Sequence, residues 1–155
     1  MNSLEILEIK VALQVLKPVD EVFEAIVDPE KMSNYFISRS NGRIEQGKSI
    51  QWEFPEFEGS WTVQIDKVEQ NKHIEFEWEG ASGHQTRVKI NLEPKEQQFT
   101  VIRISEGPMK NNQEGIKWLL SNTEGWTNFL CCLKAYMEYG INLRKGGYDY
   151  MKQPH

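Results

Sequence analysis

The pair Cys131 and Cys132 is the first candidate for chemistry, because it contains both cysteines of the chain. The pair lies in a stretch with helical spacing, and successive residues on a helix are about 100° apart. The two side chains therefore diverge and cannot hold one metal ion together. We predict that Cys132 lies at the edge of the buried stripe as a small apolar residue and that Cys131 lies on the polar side.

The three histidines do not have the spacing of a metal site. His73 alternates in phase with charged neighbours, His84 lies in a predicted turn, and His155 ends the chain. No pair of histidines has the one-turn spacing by which a helix binds zinc. We therefore predict no metal site and no cofactor.

Acidic residues recur on the polar side of the predicted strands, and four of them could form acid–base pairs: Glu53, Glu75, Glu77 and Glu79. A catalytic carboxyl group needs an enclosed pocket, whereas these residues are expected on a face exposed to solvent. We assign no catalytic residue. The sequence favours a non-enzymatic role and leaves an enzyme open.

Large apolar residues are the stronger candidates for a site, because the same faces of the predicted strands and helices carry many aromatic rings. Two interpretations stay open, a packed core and a partly open apolar cavity. Ligand sites are mostly apolar with a few polar groups, and buried indole and phenol groups need hydrogen-bond partners. The candidate ligand-binding residues are Tyr35, Phe36, Trp52, Phe54, Trp61, Phe76, Trp78, Trp126, Phe129, Leu130 and Leu133. Arg103 would orient an anionic ligand if it pointed inward, but we favour the surface for it.

The elements that must position these residues follow from hydrophobic periodicity. The segment "LEIKVALQVL" alternates like a strand, residues 19–27 have helical spacing, and Asp28-Pro29 begins a second short helix. From about 42 to 106 the period is two, which predicts a run of antiparallel strands, including two joined near Gly47.

The C-terminal third is predicted to be helical. We expect a loop from Glu106, a short helix at about 113–120, and a capping box from Ser121 to Glu124. A long helix should then run to about Lys145 and end at Gly146-Gly147. We place a single domain at residues 1–147 and a C-terminal tail at 148–155.

Composition limits the partners. The net charge is −5 and the pI is about 5.3, which argues against nucleic acid. The N-terminus lacks the features of a signal peptide, and no apolar run is long enough to span a membrane. We expect a cytoplasmic protein.

Element order and three segments together resemble a known family. The segments are "VDEVFEAIVDPEKMSNYF", "EFEWEG" and "NTEGWTNFLCCLKAYMEYG". They resemble the START-like (SRPBCC) superfamily, in its AHSA-like branch named after the activator of the heat-shock chaperone ATPase. The resemblance implies an α+β helix-grip fold: a curved antiparallel sheet of about seven strands wraps a long C-terminal helix, with two short helices after the first strand.

The resemblance also implies a cavity between sheet and helix. From it we expect a module that binds a hydrophobic small molecule of lipid, polyketide or flavonoid type. The alternatives are a stress-related cofactor of a chaperone ATPase and an enzyme of cyclase or hydrolase type. The chain has no room for the second domain with which the eukaryotic co-chaperone grasps its partner, so we disfavour a chaperone partner. A homodimer is left open.

Overall fold

A computed structural model describes residues 5–152. Within that range the elements, in chain order, are β1 (Ile6–Val15), α1 (Val19–Val27), α2 (Pro29–Met32), β2 (Arg39–Ser40), β3 (Ser49–Glu53), β4 (Trp61–Glu69), β5 (His73–Ala81), β6 (His84–Lys95), β7 (Phe99–Lys110), α3 (Gln113–Tyr139) and a 3₁₀ turn (Asp149–Met151). No helix among these residues is both long and apolar enough to cross a membrane.

The strands form one antiparallel sheet in the order β1-β7-β6-β5-β4-β3-β2. Successive strands from β2 to β7 are neighbours, and β1 joins the far edge by pairing with β7. Helix α3 packs on the sheet, with its largest contact on β1. This is the predicted α+β helix-grip fold, with helices on one face of a curved sheet.

Each central strand is buried on one side and charged on the other, as its period of two predicts. On β5, Ile74 and Phe76 are fully buried. On the outer face, Arg87 donates to Glu75 at 3.2 Å and to Glu77 at 2.5 Å. Arg103 is also on the outer face, 3.3 Å from Glu93, so it lies at the surface as favoured from the sequence.

The helix pair after β1 forms where its sequence signals predict. The apolar stripe of α1 buries Val22, Phe23 and Ile26. The side chain of Asp28 accepts a hydrogen bond from Glu30 N at 2.9 Å, and Pro29 occupies the first helical position. This cap satisfies an N–H group that the helix itself leaves unpaired.

The predicted break before the long helix is wrong. Helix α3 is continuous from Gln113 to Tyr139. It begins at Gln113 because the side chain of Asn112 caps it by accepting a hydrogen bond from Gly115 N at 2.8 Å. Ser121 therefore lies within the helix and not at a cap. The predicted end at Lys145 is also wrong: Gly140 adopts φ 67°, a left-handed conformation that ends helices, and its N–H bonds Tyr136 O.

Two strand assignments are also corrected. Residues 44–48 form no strand, so Gly47 does not join two strands; the extra strand is instead the two-residue β2, which pairs with β3. At the other edge, β7 continues past the predicted end at 106, because Leu7 of β1 pairs with Met109. Local periodicity could not predict this extension, because it depends on pairing with a strand about a hundred residues away in the chain.

Candidate functional site

A cleft of about 330 Å³ opens between the sheet and helix α3, at the end of the sheet where β3, β4 and β5 meet the middle of the helix. Half of its lining residues are aromatic. Its lining residues are Phe36, Phe54, Phe57, Trp61, Trp78, Glu79, Gly80, Ser121, Asn122, Glu124, Gly125, Trp126, Arg144, Tyr148, Tyr150 and Met151.

The eleven candidate residues from the sequence divide into two groups. The first group lines the cleft: Phe36, Phe54, Trp61, Trp78 and Trp126. The second group lies in the buried core: Tyr35, Trp52, Phe76, Phe129, Leu130 and Leu133. The aromatic side chains therefore form a packed core in one part of the molecule and line an open cleft in another, so each interpretation from the sequence applies to some of them.

Ring packing separates the core from the cleft. Phe36 has its ring centroid 4.8 Å from Phe129 and 5.1 Å from Phe54. The ring of Trp52 lies 5.4 Å from Phe76. Such edge-to-face pairs are favourable beyond the area they bury. They leave no room for a ligand among the inner rings, so the open space begins at Trp78 and Trp126.

A fully buried carboxylate lies behind the two inner tryptophans. Glu106 has 0% exposure, and its hydrogen-bond partners among the described residues are all neutral. Its Oε1 accepts from the indole of Trp126 at 2.8 Å, and its Oε2 accepts from the indole of Trp78 at 3.0 Å. Thr86 Oγ1 donates to Oε2 at 2.5 Å, and Asn122 Nδ2 donates to Oε1 at 3.1 Å. Four neutral donors thus replace the water that this group loses on burial.

Sequence reasoning missed Glu106 because it placed the residue in a loop. A signal was present: Thr100, Ile102 and Ile104 alternate inward, and Glu106 is next in phase. The neighbouring Gly80 explains how the carboxylate fits. A Cβ atom at Gly80 would overlap Thr86 Oγ1 and Glu106 Oε2, so no larger residue has room there.

A second ionic feature closes one side of the cleft. Arg144, in the segment after α3, donates from Nε to Glu56 Oε1 at 2.9 Å, and the two side chains are only 11% and 3% exposed. Its guanidinium lies 5.5 Å from the ring centroid of Phe36 and 4.8 Å from that of Tyr148. These distances are in the range of cation–π attraction. No local pattern in the sequence indicates this pair, because 88 residues separate the two side chains.

The predicted tail begins at the edge of the cleft. Tyr148, Tyr150 and Met151 contribute to its lining, although the boundary at residue 147 itself stays a prediction. Residues 153–155, with His155, lie outside the described range. The rim also carries the exposed carboxylates Glu79 and Glu124, so the mouth is acidic.

The other candidates lie away from the cleft. Cys131 is exposed and Cys132 is buried, as predicted, and burial raises the pKa of the Cys132 thiol. His73 lies on the sheet, 3.1 Å from Glu75, and His84 lies 3.4 Å from Glu114. Among residues 5–152 no three His, Cys, Asp or Glu side chains are grouped so that they could hold a metal ion.

Fold and cleft together define a helix-grip domain with an aromatic opening between sheet and C-terminal helix. The family described as "Activator of Hsp90 ATPase homolog 1-like protein" matches residues 17–138. The chain belongs to this family. None of the curated proteins matches the chain.

Solved structures agree with this assignment. Protein SSP2350 from Staphylococcus saprophyticus is 36% identical with a TM-score of 0.78, over 89% of this chain and 96% of that one. DynU16, a putative protein in the dynemicin biosynthetic locus, is 24% identical with a TM-score of 0.76, over 86% of this chain and 48% of that one. The Aha1 dimer from Colwellia psychrerythraea is 20% identical with a TM-score of 0.72, over 86% and 98%. The latter two likenesses concern the fold alone.

Proposed function

We propose that this protein is a binding module for a small apolar molecule, which it holds in the cleft without covalent chemistry. The observation that carries the proposal is the cleft of about 330 Å³ walled by aromatic rings. Pockets of about 300 Å³ and more that are mostly apolar, with a few placed polar groups, are typical of small-molecule sites.

The shape of the walls supports a flat or ring-containing ligand. Trp78 and Trp126 have centroids 5.7 Å apart and tilted by 42°, so they form the inner wall. Trp61 lines the cleft from the neighbouring strand β4, with its ring 5.3 Å from Phe54. A flat aromatic molecule can pack its ring against such side chains, as aromatic pairs do. We therefore place polyketide- or flavonoid-like aromatics before saturated lipids.

The contacts proposed for the ligand are the five cleft residues of the original set: Phe36, Phe54, Trp61, Trp78 and Trp126. The six buried residues serve as the support that holds these walls in place. DynU16, which has the same fold, is described as a putative protein in the dynemicin biosynthetic locus, and this is in keeping with a natural product as the ligand.

The carboxyl groups around the cleft, among the described residues, do not favour the enzymatic alternative. Cyclase or hydrolase chemistry needs a titratable side chain that reaches the ligand. Glu106 is sealed behind Trp78 and Trp126, while Glu79 and Glu124 are exposed at the rim. The chaperone alternative derives from the family description, and stimulation of a chaperone ATPase by the purified chain would test it.

Native mass spectrometry of freshly purified protein, followed by titration, tests the proposal. Three of the five tryptophans line the cleft, so binding should change the intrinsic fluorescence. Aromatic polyketides, flavonoids and fatty acids should be compared. We expect saturable binding for at least one aromatic class. No co-purified molecule and no response to any class would overturn the proposal.

A matched pair of variants locates the binding. Trp61→Ala removes one wall and should weaken binding about tenfold, which corresponds to roughly 1.4 kcal/mol. Ile116→Ala removes an exposed apolar side chain of α3 that is not part of the cleft, and should leave affinity unchanged. Equal losses in the two variants would place the ligand elsewhere.

A further inference from the structure

We propose that Glu106 is a positioning residue that sets the chemistry of the ligand: by binding both inner indole N–H groups, it turns the inner end of the cleft into a pure hydrocarbon surface. This inference rests on the proposed function. It predicts that the inserted part of the ligand is an aromatic or unsaturated hydrocarbon with no hydrogen-bond acceptor at its inner end.

The first step is the division of donors between the two carboxylate oxygens. Each oxygen holds one indole: Trp126 on Oε1 at 2.8 Å and Trp78 on Oε2 at 3.0 Å. An indole N–H is a donor only and has no second hydrogen. Both inner tryptophans therefore have no remaining polar hydrogen for a ligand and offer it only their ring carbons.

The second step concerns the other groups around the carboxylate. Asn122 Nδ2 is shared between Glu106 and the backbone oxygen of Gly80, to which it donates at 2.9 Å. Thr86 Oγ1 is bonded to Oε2. The hydrogen-bond donors nearest the inner wall are thus committed to protein partners, and a ligand acceptor placed there would lose its water without a replacement.

The third step is the contrast with the outer end. The indole of Trp61 is not part of the Glu106 network, and Arg144 brings a cation to the cleft near Phe36 and Tyr148. Within the described part of the chain, this outer side is where donors for the polar groups of a ligand lie. The cleft is therefore graded from apolar inside to polar outside, and it should orient an amphipathic aromatic molecule with its hydrocarbon end inward.

Naphthalene and quinoline test the inference, because they have the same shape and differ by one ring nitrogen that accepts a hydrogen bond. The quantity to compare is the Kd for quinoline divided by the Kd for naphthalene, measured on wild type and on variants. The two probes differ in hydration free energy, but this difference contributes equally to the ratio in every variant and so cancels when the ratios are compared. Wild type should prefer naphthalene.

Glu106→Gln should lower that ratio. Glutamine keeps one oxygen and replaces the other by an amide NH₂, and since each oxygen holds one indole, one of the two must lose its acceptor. The released N–H can then serve the ring nitrogen of quinoline, which should reduce the ratio about two- to tenfold, the worth of one hydrogen bond. Thr86→Val is the control: it removes one donor, leaves both indoles bonded, and should leave the ratio unchanged.

Indole N–H resonances of wild-type protein supply a second measurement that needs no variant. With quinoline bound, the Nε1–H hydrogens of Trp78 and Trp126 should remain as protected from exchange as they are in the free protein. A quinoline-induced loss of either indole bond overturns the inference, as does an unchanged ratio in folded Glu106→Gln or an equal fall in Thr86→Val. If neither probe binds wild type, the proposed function fails, and this inference fails with it.

Discussion

Arg144 and Glu56 form an ion pair that joins the segment after α3 to the loop after β3, with a distance of 2.9 Å from Nε to Oε1. Both side chains are almost removed from water, and the second oxygen of Glu56 is buried without a hydrogen-bond partner among the described residues. Substitution of one residue of this pair should therefore have a large effect on the stability of the fold.

Arg144→Ala should destabilise the protein by about 3–5 kcal/mol, because it leaves the Glu56 carboxylate buried and unpaired. Urea unfolding followed by far-UV circular dichroism measures the loss. The double variant Arg144→Ala/Glu56→Ala should recover part of it, since no charge is then stranded. If the double variant is as unstable as the sum of the two single variants, the pair is not coupled.

Glu138 should make stability depend on pH. Burial opposes its ionisation, but the hydrogen bond from Leu16 N at 2.8 Å and the ion pair with Lys134 at 2.6 Å outweigh burial, so its pKa is lowered below 4.5. A lowered carboxyl pKa stabilises the folded state above the unfolded value and loses this contribution as pH falls through the folded value. Stability should therefore decline below about pH 4.5 more steeply in wild type than in Glu138→Gln.

Thermal unfolding of wild type and Glu138→Gln at about five pH values, from roughly pH 3 to roughly pH 7, measures this difference in stability. Glu58→Gln, at an exposed position, is the control and should follow wild type. Identical pH profiles for wild type and Glu138→Gln would contradict the role assigned to this carboxylate.

Gly80 and Gly125 should respond to alanine in opposite directions. A Cβ at Gly80 overlaps Thr86 Oγ1 and Glu106 Oε2, so Gly80→Ala should cost about 1–3 kcal/mol, as overpacking does. Gly125 lies within α3 with no atom near the added methyl group, so Gly125→Ala should gain up to about 1 kcal/mol of helix propensity. Chemical denaturation of both variants measures these changes in the free energy of unfolding. A Gly80→Ala variant as stable as wild type would contradict the geometry around Glu106.

The two cysteines should differ in reactivity. Cys131 is exposed, whereas Cys132 is buried and burial raises its pKa, which lowers the fraction of reactive thiolate. In folded protein a thiol reagent such as DTNB should react with one thiol quickly and with the second slowly. Cys131→Ser should remove the fast phase, and persistence of that phase would place Cys132 at the surface.

Most of the fold follows from local patterns in the sequence. Alternation in "HIEFEWE" determines which face of β5 is buried, because side chains of a strand point to opposite faces. The helical stripe of α3 places Trp126, Phe129 and Leu133 inward in the same way, and it separates Cys131 from Cys132. These features depend on neighbouring residues alone.

The candidate site depends on tertiary structure. Whether the aromatic side chains formed a core or a cleft could not be read from their spacing, because that depends on how closely sheet and helix approach. Glu106 joins β5, β6, β7 and α3 through donors that lie 16 to 28 residues away in the chain, and Arg144 meets Glu56 across 88 residues. Local periodicity defines the two faces of each strand and helix. Which buried face encloses a carboxylate and which leaves space depends on the three-dimensional packing, because both outcomes arise from contacts between residues distant in sequence.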